Sequence, residues 1–358
     1  MSGSILPETV RRAFALQQQA CDRLGSPFTA QLCGTIAEHG LPVSRVHEVV
    51  SSWPGDPSAN GDSVPLRLCG ALHEIVLSDR EDPLAAVYPP NHVGVDSERF
   101  FAAVSDAVRR HDVRIRERLR LAPQTNEIRR STAVYAALLH ISEATGKPVV
   151  LSEVGASAGL NLLLDRFEFD LAGADYGNNG SAVRLSTDWS GPPPPAAQLS
   201  IAERRGCDLS PFDLSSQADR LRLLSYVWPD QTNRLDRISA ALALHDEQPV
   251  MVDAADAVSW LGQRLSGRYH GSAHVIYHTI AWQYLPEKSR RQGQVIIEAA
   301  GAKATPDAPL FLLGLEADGN SPGAALTLRS WPGGIERELA RVDFHGRWIR
   351  WNPQDHDT

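Results

Sequence analysis

The stretch Pro148-Val149-Val150-Leu151-Ser152-Glu153-Val154-Gly155-Ala156-Ser157-Ala158-Gly159-Leu160-Asn161 decides how the chain is read. A short apolar, β-branched run reaches the acidic Glu153. A loop of glycines and small residues follows, and Leu160, Leu162, Leu163 and Leu164 then open a helical pattern. Strand, tight turn and helix is the expected order. Such a junction gathers backbone N–H groups and a helix N-terminus at one point, which suits an anion or a closely packed ligand. Two chemistries fit. In a nucleotide-type α/β fold, Gly155 and Gly159 let the loop backbone approach a cofactor. In a hydrolase, Gly155-Ala156-Ser157-Ala158-Gly159 is a literal G-x-S-x-G elbow with Ser157 as nucleophile.

Before this stretch the chain reads as helices. Val10, Phe14, Ala20 and Leu24 keep helical spacing up to Gly25, and further helices are expected over 27–40, 43–53, 66–77, 98–119 and 126–144. Six arginines between Arg109 and Arg120 could face phosphate, but Asp112 and Glu117 interrupt them, as on a solvated helix surface. In the tract Gln124, Asn126, Glu127, Arg129 and Arg130, helix capping accounts for part of the pattern; a polar cluster closing over a ligand is the alternative. Gly146 ends the last helix and Lys147-Pro148 launches the strand. The expected domains are therefore a helical 1–146 and an α/β 147–354.

After the loop, 167–171 and 182–185 alternate like a hairpin, an insertion over about 167–200 that Pro192–Pro195 closes. Gly206-Cys207-Asp208-Leu209-Ser210-Pro211 resembles the end of the second strand in class I methyltransferases. The resemblance implies that Asp208 receives the ribose hydroxyls of S-adenosylmethionine, two donors that a carboxylate can accept together. A helix-start Asp is the competing reading. Asp208 follows the glycine loop by far more than the usual ~20 residues, which requires the hairpin to be an insertion. Pro249–Ala257 reads as a strand with Asp253 and Asp256 at its end, and the methyltransferase resemblance implies that one of them lies where the adenine amine is hydrogen-bonded. Ala273–His278 delivers His278, Trp282, Gln283 and Tyr284 at the carboxyl end of a further strand, where α/β sheets bind ligands. Residues 294–298, which could also close a helix, and 310–315 look like strands. An antiparallel pair about Pro332-Gly333-Gly334 resembles the close of a class I methyltransferase sheet, and Asp355–Thr358 is expected to fray.

Bulk properties narrow the chemistry. With 358 residues, 42% hydrophobic and 22% charged, the chain is neither disordered nor membrane-like, and a net charge of −8 disfavours nucleic acid. Cys21, Cys33, Cys69 and Cys207 lack metal spacing and read as reduced thiols. No signal peptide or bilayer-length apolar run is present, so a cytoplasmic small-molecule protein is expected. A hydrolase would need Asp253 or Asp256 and His278 or His345 behind Ser157, but it also needs strands where helices are expected. A dinucleotide fold lacks its central glycine. His270, His274 and His278, four residues apart, lie too far along a strand to share one metal ion.

Over nearly its full length the chain resembles a bacterial family called domain of unknown function 2332. The residues that carry it are Glu153–Asn161, Arg205–Pro211, Val227-Trp228-Pro229-Asp230-Gln231, His278 with Trp282-Gln283-Tyr284, and Trp331–Gly334 with His345-Gly346-Arg347-Trp348. The family supplies no activity, so expectation rests on the methyltransferase-like features: a Rossmann-like class I sheet with a terminal antiparallel hairpin, preceded by an all-helical domain. The cofactor-binding set is then Glu153, Gly155, Ala156, Ser157, Gly159, Asn161, Asp208, Asp253 and Asp256, with His278 as base. Gln124, Asn126, Glu127, Arg130, Trp282, Gln283 and Tyr284 would meet a small-molecule acceptor beneath a lid of helical domain and hairpin. A non-catalytic nucleoside-binding protein and a serine hydrolase are the alternatives.

Overall fold

A computed structural model describes residues 3–352, and the tail expected to fray, Asp355–Thr358, lies outside them. The chain forms helices α1 (Glu8–Arg23), α2 (Pro27–His39), α3 (Arg45–Ser51), α4 (Val64–Ser78), α5 (Ser97–Arg110), α6 (Asp112–Leu119) and α7 (Ser131–Thr145). Farther on come α8 (Gln217–Ser225), α9 (Thr232–Glu247), α10 (Ala257–Arg264) and α11 (Glu287–Gly301). Two compact units result: residues up to Thr125 with Asp213–Asp236, and Asn126–Phe212 with the residues from Arg237 onward. By compactness the first unit ends at Thr125, so α7 belongs with the second, and a later segment joins the first. Among the described residues no helix is long and apolar enough to cross a membrane.

In the first unit Phe14, Phe28, Leu68, Leu72 and Phe100 bury one apolar face each from α1, α2, α4 and α5. Phe28 meets Tyr88 and Phe100 edge-on, with centroids 4.6 and 5.8 Å away. Each such side chain contributes roughly 1.5–3 kcal/mol. The helix expected over 98–119 breaks at His111. There the imidazole reaches Asp82 at 2.7 Å and the next residue, Asp112, accepts the Val46 N–H at 2.9 Å. The arginine run is an internal brace: Arg110 holds Asp82, Arg116 holds Asp112, and Arg114 and Arg118 converge on Glu74. The returning segment binds this unit through Asp230, whose carboxylate accepts the Ser26 hydroxyl at 2.5 Å and the Phe28 N–H at 2.9 Å, capping α2.

The second unit is a mixed α/β structure on a large, mostly parallel sheet. Its strands are β1 (Val149–Val154), β2 (Glu168–Leu171), β3 (Ala174–Gly177), β4 (Arg184–Ser186), β5 (Asp188–Ser190) and β6 (Ile201–Asp208). They continue with β7 (Val252–Ala254), β8 (Ala273–Thr279), β9 (Leu310–Glu316), β10 (Ala324–Trp331), β11 (Ile335–Val342) and β12 (Trp348–Trp351). Nine of them form one sheet in the order β5-β12-β11-β10-β9-β8-β1-β6-β7. From β9 to β7 all pairs are parallel, and β10 to β12 run antiparallel beyond them. The chain moves outward from β1 to β6 and β7, then recrosses to place β8 on the other side of β1. That reversal is a topological switch point, the position at which open α/β sheets leave a crevice.

Every residue of β1 is buried, as its continuous apolar run predicts for a central parallel strand. Alternation sorts the side chains: Val154, Cys207 and Ile276 pack with Trp260 and Leu261 of α10 and Ile297 of α11. Residues 294–298 belong to α11, not to a strand. The insertion is also rearranged, because Ala172 and Gly173 both take left-handed φ and make the turn there, so β2 pairs antiparallel with β3. The stretch expected to return as the hairpin's second strand instead supplies β4, parallel to β2.

Asp230→Ala removes both capping bonds on α2 without touching the second unit's sheet. The expected result is a loss of about 1–2 kcal/mol in denaturant-induced unfolding of the full chain.

Candidate functional site

The loop after β1 is built from inside. The N–H groups of Gly155 and Ala156 donate to the Cys207 carbonyl at 2.9 and 3.0 Å, tying the end of β1 to that of β6. Gly155, Ser157 and Gly159 all lie in the left-handed region, at φ 72°, 56° and 73°. The glycines serve close packing, because a Cβ on Gly155 would stand 2.5 Å from the Ala281 Cβ and one on Gly159 would stand 2.7 Å from Val252 Cγ2. For Ser157 the conformation is a local strain, of the kind that clusters at functional sites. Its hydroxyl is buried and has no hydrogen-bond partner among the described residues. The helix expected after the loop is a seven-residue 3-10 segment, Leu160–Arg166, and its first N–H already donates to Asn126 Oδ1 at 2.9 Å. The α-helix expected at this point is therefore replaced by a 3-10 segment whose first N–H is already taken.

Beneath the loop, on the face opposite α10, Glu153 is 1% exposed. The Tyr277 hydroxyl donates to it at 2.9 Å across the β1/β8 pair. Burial pushes the Glu153 carboxyl up to about 8, against the opposing pull of the Tyr277 and Asn161 hydrogen bonds. Asn161 in turn accepts the Ser131 hydroxyl at 2.9 Å, which brings α7 into the network. Arg130 donates to the carbonyls of Thr279, at 3.1 Å, and Phe344, at 2.8 Å. Glu127 caps the short turn beside it by accepting the Arg129 N–H. Asn126, Glu127, Arg130, Glu153 and Asn161 lie in the second unit, and Asn126 meets the end of the loop at Leu160, whereas Gln124 belongs to the first unit.

A second cluster forms on the other face, at the ends of β8 and β9. His278 Nδ1 lies 2.8 Å from Glu316 Oε1 and its ring stacks on Trp282, 5.0 Å between centroids. The same carboxylate accepts the N–H groups of Ala281 and Trp282, both at 3.0 Å. Gln283 donates its N–H to Glu316 and accepts the Ala317 N–H. Burial works to raise Glu316, but the His278 imidazole and these N–H groups outweigh it and hold the carboxyl below its usual range. Tyr284 turns outward, 73% exposed.

The acidic candidates part company. Asp208 accepts the N–H of Ser157 through Oδ2 and of Ser210 through Oδ1, both at 2.9 Å, so it braces the glycine loop from β6. Asp253 forms a two-point pair with Arg205, at 2.7 and 2.8 Å, and accepts the Trp260 indole N–H. Asp256 caps α10 through Oδ1. Tyr277 and Glu316 were not anticipated from sequence. Glu316 lies one residue past the expected strand, and Tyr277 follows from strand alternation once its neighbour His278 is placed.

The second unit is thus an α/β protein with a candidate site at the carboxyl-end switch point of its sheet. Residues 11–351 match the family described as "Uncharacterized protein conserved in bacteria (DUF2332)", and the chain belongs to that family. A comparison with curated proteins finds no match.

Two variants test this construction. Gly159→Ala meets both a left-handed φ and Val252, and its unfolding free energy should fall by about 1–3 kcal/mol. Glu316→Gln removes a carboxyl whose folded pKa is depressed. Its stabilising contribution is complete above the ordinary value of 4.5 and fades as the pH falls through the lower folded value. In denaturation at a series of pH values, wild type should therefore exceed the variant near neutrality, and the gap should close in acid.

Proposed function

We propose that the second unit binds S-adenosylmethionine and transfers its methyl group to a small-molecule acceptor, on a sheet of the Rossmann-like class I type. The observation that carries this reading is the row of ionisable side chains at the strand ends. Glu153, Asp208, Asp253, His278 and Glu316 each lie within one residue of the carboxyl end of β1, β6, β7, β8 and β9, five neighbouring parallel strands about one switch point. The buried, unpartnered Ser157 hydroxyl gives the loop a polar atom suited to the amino-acid end of the cofactor.

The residues divide the work by chemistry. Loop residues 155–159 face the amino-acid portion. Asp208, at the carboxyl end of β6, is the carboxylate assigned to the ribose hydroxyls, whose two hydrogens one carboxylate can accept together. Asp256 is better placed than Asp253 for the adenine amine, because it caps α10 with one oxygen while Asp253 is committed to Arg205 and Trp260. When bound, the cofactor supplies a methyl group on a sulfonium, a leaving group that needs no acid. The acceptor's proton goes to His278 Nε2, with Glu316 fixing the other ring nitrogen. A cytoplasmic setting accords with four unpaired, buried thiols.

A second reading is binding without turnover, favoured by the covering of His278, which is only 6% exposed. The hydrolase is disfavoured, since no imidazole is bonded to the Ser157 hydroxyl among the described residues. Thermal unfolding with S-adenosylmethionine and S-adenosylhomocysteine tests the binding. Saturation at 100 times Kd stabilises by about 2.7 kcal/mol, and Asp208→Ala should abolish the shift. No shift with either compound sinks both cofactor readings. A shift without methylation of any offered acceptor selects the second.

A further inference from the structure

On the face of the sheet covered by α10, a cleft of about 590 Å³ opens between β6, β7 and the loop that follows α10. None of residues 155–159, Asp208 or His278 lines it. Its volume falls within the roughly 300–1,000 Å³ of small-ligand sites. Its charges are unbalanced, with Arg205, Arg264 and Arg268 facing the single carboxylate of Asp253. Arg205 spends Nε and Nη2 on Asp253, which leaves one edge of its guanidinium uncommitted. Asp253 is itself fixed by the Trp260 indole N–H at 2.7 Å.

Arg264 is the unusual member. It ends α10, and its side chain is 9% exposed. Nη1 pairs with Glu203, Nε donates to the Ser152 hydroxyl at 2.8 Å, and the Tyr269 ring lies 5.2 Å from the guanidinium carbon. Ser152 is held from behind. Its hydroxyl oxygen, which accepts the Arg264 Nε–H, also lies 2.9 Å from Nε2 of the buried His274. These contacts fix the guanidinium in place, yet its Nη2 is buried with no hydrogen-bond partner among the described residues. An unsatisfied donor on a buried cation is costly, and native structures rarely keep one without a partner to come.

We propose that this cleft binds a small organic anion by its phosphoryl or carboxylate group, taken by Arg264 Nη2 and the uncommitted edge of Arg205, with Arg268 closing the rim. The planar guanidinium fork suits both groups, because two N–H donors meet two oxygens. Asp253 serves as the residue that orients Arg205. The cleft shares Asp253 with the row of strand-end groups, but the anion contacts fall on arginines outside that row.

Calorimetric titration of the full chain with inorganic pyrophosphate and with citrate, at ionic strength matched by sodium chloride, tests the proposal. At least one should bind with Kd of about 1 mM or tighter, and the stronger probe distinguishes a phosphoryl from a carboxylate ligand. Arg268→Glu, on an exposed loop, should weaken binding by about tenfold or more and leave S-adenosylhomocysteine binding unchanged. Arg264→Lys should do the same by keeping the charge but losing the fork. Absence of binding by both probes, or binding that Arg268→Glu leaves intact, overturns the proposal.

Discussion

The hydrogen bond from Tyr277 to Glu153 joins the two central strands just before the chain leaves β1. A carboxyl enclosed there has two ways to exist: ionised and paired with a cation, or neutral and hydrogen-bonded. Burial, which pushes the Glu153 carboxyl up to about 8, favours the second. The neutral carboxyl accepts from Tyr277 and engages Asn161, Asn161 takes the Ser131 hydroxyl, and so β1, β8, the 3-10 segment and α7 share one buried polar network. Networks of this kind are sensitive to any unsatisfied member, and they specify one arrangement of the elements that contribute to them. The glycine loop above inherits its path from that arrangement. Its left-handed residues are held by the Cys207 carbonyl, by Asp208 and by the Ala281 and Val252 side chains that occupy the space where Cβ atoms would stand.

The other face is organised by a carboxylate of the opposite kind. Glu316 remains ionised because an imidazole and a row of N–H groups converge on it, and it thereby sets both the ring of His278 and the turn that carries Trp282 and Gln283. One sheet end thus holds a neutral acid on one face and a carboxylate–imidazole pair on the other. Environments that drive neighbouring ionisable groups apart in this way are typical of sites that handle protons.

Much of this was legible in the sequence, and the failures have physical causes. The apolar run before Glu153, the strand ending in His278 and the antiparallel close around Pro332 were readable because period and turn residues are local signals. The partner of Glu153 was not, since Tyr277 sits in a strand where an aromatic is ordinary and only the register of β1 with β8 brings the two together. At Gly155 and Gly159 the sequence does not show which side chains, Ala281 and Val252, lie where a Cβ would stand. The break at His111 involves Asp82, distant in sequence, and the return of Asp213–Asp236 to the first unit is held by long-range contacts, among them Asp230 on α2 and Ser225 with His73 and Arg118. Leucines after the loop promised an α-helix. Asn126, which captures the first amide, and the left-handed Gly159 instead begin a 3-10 segment.

The enclosed position of Glu153 implies a neutral acid at physiological pH, and the direct measurement is its own titration. The carboxyl carbon resonance of Glu153 in ¹³C-labelled protein, assigned by its loss in Glu153→Gln, can be followed from about pH 5 to about pH 10. An inflection near 8, with the protonated shift at neutrality, is the predicted result. A resonance already ionised at neutral pH, titrating with the ordinary carboxylates, would contradict it.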